Sequence, residues 1–153
     1  MGRIALLRKT YLDAEWYRKD KKREEQNLSL QAWNDLQNLP QFFDAGNKLN
    51  VLRADKIGDE FNTQYVIDGG TDGYQRIDEI KKTGASFVLS LNFPKPYDVN
   101  DPFEADNVSL AQMKHWELAP TNPGVFESKG IPFALSTKGL KDKKVFLKNL
   151  RKA

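Results

Sequence analysis

The chain has 153 residues, 39% hydrophobic and 29% charged, with 24 Lys and Arg against 21 Asp and Glu. That length buries roughly 70% of the unfolded chain's surface in one domain, and the composition is near the globular average, so neither a disordered chain nor a fibre fits. The lack of cysteine excludes disulfides, thiolate metal sites and thiol nucleophiles, and the single histidine, His115, excludes any site needing two.

No apolar run approaches a membrane span, and residues 1–14 lack the cationic, apolar and small-residue zones of a signal peptide. The chain reads as a soluble piece whose compartment stays open, since a longer parent could carry a signal upstream. Charge is placed unevenly. Residues 1–26 carry 8 basic and 5 acidic side chains and residues 138–153 carry 7 and 1, leaving the middle acidic at 9 against 15. The basic residues alternate with apolar ones, as on solvated helix faces, so neither a nucleic-acid nor a membrane partner is expected.

Ile4, Leu7, Tyr11 and Ala14 recur at helical spacing and predict an amphipathic helix to about Lys19, followed by a frayed end or loop to Gln26. Ser29 is placed to cap a short helix carrying Leu30, Trp33 and Leu36, which Pro40 stops. Residues 1–39 thus form a helical lead-in, and residues 40–153 alternate strand and helix within one domain. Strands are expected at 41–44, 64–68, 85–91 and 132–136, the third apolar enough to be buried on both faces. Helices are expected at 47–61, with Val51, Ala54, Ile57 and Phe61 inward, and at 72–82, ended by Gly84. A proline-bearing loop covers 92–108, and Ser109 with Gln112 forms a capping box opening a helix through Trp116. A short helix from Pro123 to Gly130 and a basic helix over 140–152 complete the pattern. Such alternation implies right-handed βα units and a parallel sheet of about four strands: an α/β fold.

Ligand sites of parallel α/β folds lie at the carboxyl ends of the strands. Asp44, Asn47, Asp68, Gly69, Gly70 and Lys138 fall there, together with Asn92 and Thr137. Two carboxylates and a lysine could hold a small polar ligand or do acid–base work. The plainer reading is that Asp44, Asn47 and Asp68 cap the following helices. Gly69-Gly70-Thr71-Asp72-Gly73 has the composition of a phosphate-cradling turn, yet it lacks both the dinucleotide and the P-loop spacing and sits beside two aspartates. Lys82-Thr83-Gly84 is a helix end, and the acidic loop Asp98, Asn100, Asp101, Glu104, Asp106 fails the EF-hand pattern, so both read as ordinary surface. His115 reads as a packed or surface residue.

Several strings taken together resemble the imidazolonepropionase-like amidohydrolases. Residues 4–14 resemble the helix before the central strands, and Pro40-Gln41-Phe42-Phe43-Asp44-Ala45 with the helix after it resembles the fifth strand and helix. Residues 66–74 resemble the sixth strand, and residues 116–123 with 130–137 the stretch into the eighth. The resemblance implies the C-terminal half of a (β/α)8 TIM barrel from a family that uses zinc or another divalent metal to hydrolyse non-peptide C–N bonds. It also implies that the metal ligands are replaced: Asp44 stands at the fifth-strand histidine, Asp68-Gly69-Gly70 at the sixth, and Lys138 at the eighth-strand aspartate. The expectation is a partial domain with no metal or other cofactor of its own, inactive alone, and paired with itself or with the missing half. The alternative is a stand-alone module that binds a small polar ligand at the strand ends. A metal-free hydrolase using Asp44 and Lys138 is a further option.

Overall fold

The computed structural model describes residues 2–20 and 25–153; of the frayed stretch expected after the first helix, residues 21–24 lie outside the described ones. In chain order the elements are α1 (Arg3–Lys19), α2 (Leu28–Asp35), β1 (Gln41–Asp44), α3 (Lys48–Phe61), β2 (Tyr65–Gly69), α4 (Ile77–Lys82), β3 (Ser86–Ser90), α5 (Pro102–Asp106), α6 (Leu110–Leu118), α7 (Asn122–Ser128), β4 (Phe133–Ser136) and α8 (Val145–Leu150). The fold is α/β. The sheet order is β1-β2-β3-β4 and every pairing is parallel.

The chain steps from each strand to its neighbour in one direction, with no reversal. Right-handed crossovers taken in one direction put every crossover helix on the same face of a sheet. Alternation along the strands shows which face that is. Phe43, Tyr65, Ile67, Phe87, Leu89, Phe133 and Leu135 pack with Val51, Ala54 and Ile57 of α3, Ile77 and Ile80 of α4, and Phe126 of α7. Phe87 and Phe126 meet edge to face with centroids 5.2 Å apart, the geometry that the ring quadrupoles favour. The opposite face carries Phe42, which is 70% exposed, with half-covered Val66 and Val88 and exposed Ala134. β3 is therefore buried on one face rather than both.

The helical lead-in packs against this core, through Leu7 and through Tyr11. Tyr11 stacks on Phe61 at 4.3 Å, meets Trp33 edge-on at 5.1 Å, and shares a 2.8 Å hydrogen bond with the Tyr65 hydroxyl. Burial on α1 falls on Tyr11, Ala14 and Tyr17, while Ile4 at its start is 39% exposed.

Other differences from the sequence pattern have local causes. Asn27, not Ser29, caps α2, accepting from the Leu30 amide. Residues 72–82 do not form one helix: Gly73–Arg76 is a 3-10 turn, because the Tyr74 N–H donates to the Asn122 side chain and Arg76 leaves helical geometry at φ −135°. The long loop contains α5, which Asp101 caps, with Pro102 in its first turn. The final helix is only Val145–Leu150, since residues 140–144 are held in turns by Thr137 and by the Asp142 carboxylate. The Ser109–Gln112 capping box is present, and Gly84 and Gly130 follow their helices at φ +64° and +68°.

Candidate functional site

Asp44 and Asp68 are cross-strand partners in the β1–β2 register, both at the carboxyl ends and both on the open face. Adjacent strands lie about 4.8 Å apart, so two ionised carboxylates in register repel each other unless a cation sits between them. Lys138 supplies it: its Nζ donates to Asp44 Oδ2 at 2.7 Å and to Asp68 Oδ2 at 2.8 Å. These two hydrogen bonds, Asp44 first, hold the ammonium's pKa above the ordinary lysine value. Asp68 is the sheltered member of the bridge at 22% side-chain exposure, whereas Asp44 is 67% exposed.

Lys138 is put there by the ends of β3 and β4. Its N–H donates to Ser136 Oγ at 3.0 Å, and its carbonyl accepts from Ser90 Oγ at 2.5 Å. Gly139 turns the chain away at φ +78°, where a Cβ would come within 2.7 Å of the Asn92 amide nitrogen. Ser90, Ser136 and Gly139 were not among the residues singled out from sequence; the run Ser-Thr-Lys-Gly at 136–139 was the available signal for a turn.

The structure divides the six sequence candidates. Asp44, Asp68, Gly69, Gly70 and Lys138 line one shallow cavity of about 260 Å³. Asn47 does not line it. Its side chain caps α3 by accepting from the Leu49 and Asn50 amides, as the plainer reading held for that residue. Asp44 and Asp68 cap nothing among the described contacts and face Lys138 instead. The glycine pair is also split. A Cβ on Gly69 would make ordinary contacts of 3.5 Å with Leu89, but one on Gly70 would lie 2.3 Å from the Gly46 carbonyl oxygen. Gly70 thus permits the β1–α3 and β2–α4 loops to touch, whereas Gly69 is not required by packing.

Asn122, at the start of α7, fixes this loop from below. It is 2% exposed, accepts from the Tyr74 N–H at 2.8 Å and donates to the Gly70 carbonyl at 3.4 Å. Sequence reasoning passed over it, because an asparagine before a proline reads as an ordinary turn residue.

A divalent metal of the kind the resemblance implies does not fit this donor set. The space between the two carboxylates already holds a lysine ammonium, whose charge repels a divalent cation. Among the described residues no group of three His, Cys, Asp or Glu side chains is gathered to replace it.

A second cavity, of about 400 Å³, adjoins the first and shares Gly46 and Thr71 with it. His115, Tyr97, Lys48 and Gln75 line its far side. His115 is half-buried here, with its ring parallel to Tyr74. Comparison with known proteins identifies no relative: no family model, curated protein or solved structure matches the chain.

Proposed function

We propose that the strand-end cavity binds a small polar ligand carrying a cationic or hydroxyl-rich group, and that the chain does not hydrolyse anything by itself. The observation that supports this reading is the Asp44–Lys138–Asp68 bridge. Two carboxylates and one ammonium leave a net charge of −1, with carboxylate oxygens beyond the two that Lys138 engages. An amine or a polyol satisfies such acceptors; an anion does not. The resemblance to amidohydrolases enters here as ancestry: a barrel half whose metal positions are replaced and whose remaining cavity still receives a ligand.

Calorimetric titration of the whole chain with a panel of small amines, amino acids and polyols tests the reading. Binding by at least one amine, lost in Asp68→Asn, is the expected result. A panel that shows no Asp68-dependent binding below millimolar concentration overturns it. Stoichiometric zinc retained after dialysis would refute the statement that the site takes no metal.

The uncovered sheet face supports a second reading, in which this chain is one half of a barrel closed by a second half. Phe42 at 70% exposure, with Val66, Val88 and Ala134 on the same face, is the kind of surface that a partner covers. Both outer strands also have one unpaired edge in the sheet order. Self-association is the expected behaviour, and Phe42→Asp is expected to weaken it. A monomer by light scattering at tens of micromolar excludes pairing with itself and leaves a different half as the partner.

A further inference from the structure

The cavity beside the Asp44–Lys138–Asp68 bridge is lined by polar side chains that a run of hydrogen bonds links from Lys48 to His115. Lys48 Nζ has only protons to give. It donates to Gln75 Oε1 at 2.6 Å and to Asp72 Oδ2 at 3.3 Å, which fixes the Gln75 carbonyl toward the ammonium. The Gln75 amide then turns its N–H to Tyr74 Oη at 3.0 Å. With that oxygen accepting from Gln75, the phenol proton is available to His115 Nδ1, 3.2 Å away. An imidazole accepting at Nδ1 carries its proton on Nε2, and that N–H points toward Thr71 Oγ1, 3.5 Å away, too long for a strong bond. Lys48, Tyr97 and Gln112, each a side chain with protons to give, also line the cavity.

We infer that this cavity is a subsite for a carboxylate, and that with the Asp44–Asp68 cavity it makes one groove for a zwitterionic amino acid-type ligand. The inference rests on the binding role proposed for the Asp44–Lys138–Asp68 site. Charge sets the polarity of the groove. The strand-end cavity carries a net −1 and takes the amine; the neighbouring cavity pairs Lys48 with Asp72, is neutral, and offers donors to an acceptor. Gly46 and Thr71 line both cavities, so a ligand crosses from one to the other over a wall with no side chain at Gly46. The Thr71 hydroxyl sits at the crossing, within reach of either end of such a ligand.

His115 is the only histidine, so its two ring nitrogens give an unambiguous signal in a 15N-labelled sample of the whole chain. The free protein is expected to show the Nε2–H tautomer. The probes are ω-amino acids from glycine to 6-aminohexanoate, with acetate and the matching alkylamines as single-charge controls. One chain length is expected to shift the His115 resonances and to bind roughly tenfold or more tightly than either control, a gain of about 1.4 kcal/mol. Lys48→Gln is expected to remove the carboxylate contribution and Asp68→Asn the amine contribution. If alkylamines bind in an Asp68-dependent way but no carboxylate moves His115, the subsite is refuted and the proposed binding role stands. If acetate moves His115 while Asp68→Asn changes nothing, the subsite stands and the binding role fails. The absence of binding by every probe, or an Nδ1–H tautomer, overturns the inference.

Discussion

Asn122→Ala removes a side chain that is 2% exposed and joins α7 to the loop after β2. The bond at stake is the 2.8 Å contact from the Tyr74 N–H; the 3.4 Å contact to the Gly70 carbonyl is long and contributes little. A backbone N–H left without an acceptor costs about 1–3 kcal/mol, and the region is only part-buried, so a loss of about 2 kcal/mol is expected. For a domain of this size each kcal/mol lowers Tm by roughly 2–4 °C, giving a shift of roughly 4–8 °C. Urea unfolding followed by tryptophan fluorescence and far-UV circular dichroism measures the loss, with an unchanged denaturant slope showing that the same surface is exposed. The Tyr74 amide should also exchange faster with solvent. A loss below about 0.5 kcal/mol with normal Tyr74 protection would mean that water replaces the amide, and the loop would not depend on Asn122.

Other perturbations test separate parts of the structure. Burial, then the hydrogen bond to Tyr11, pushes the Tyr65 hydroxyl well above the ordinary tyrosine range. Below pH 10 both states keep the proton; above it the unfolded chain ionises and the folded one does not, so stability falls by up to about 1.4 kcal/mol per pH unit. An ultraviolet titration should show a tyrosine that ionises only on unfolding, and five ordinary tyrosine titrations would refute this. Gly70→Ala forces a Cβ to within 2.3 Å of the Gly46 oxygen and should cost about 1–3 kcal/mol by thermal melting, while Gly69→Ala, with 3.5 Å of room, stays within about 1 kcal/mol. Equal costs would show that the loops do not meet as described. Lys138→Met should change stability by less than about 1 kcal/mol, because the bridge is half exposed, and the wild-type advantage should shrink in molar salt. A larger, salt-independent loss would mean that the lysine holds the fold rather than the site.

Element type was readable wherever the cause lies within a few residues. The apolar period placed α3 with Val51, Ala54 and Ile57 inward, the Ser109–Gln112 pair marked the start of α6, and the four strands were found to within two residues at each end. The failures share a different cause. The 3-10 turn at Gly73–Arg76 exists because Asn122, 48 positions from Tyr74, takes its N–H. His115 read as a packed or surface residue and is packed on Tyr74, but which groups it meets was not legible, because Thr71 and Tyr74 are more than 40 positions upstream.

The sequence by itself determined a chain of alternating strands and helices and the cluster of polar residues at the strand ends, because hydrophobic period, caps and glycine turns are local. Only the tertiary structure decided that Lys138 lies between Asp44 and Asp68, 94 and 70 positions away, and that Asn47 turns aside to cap its helix. Parallel pairing lines up strand ends however far apart they lie in the chain, so the charge that forms there depends on register and loop direction, which no short window of sequence contains.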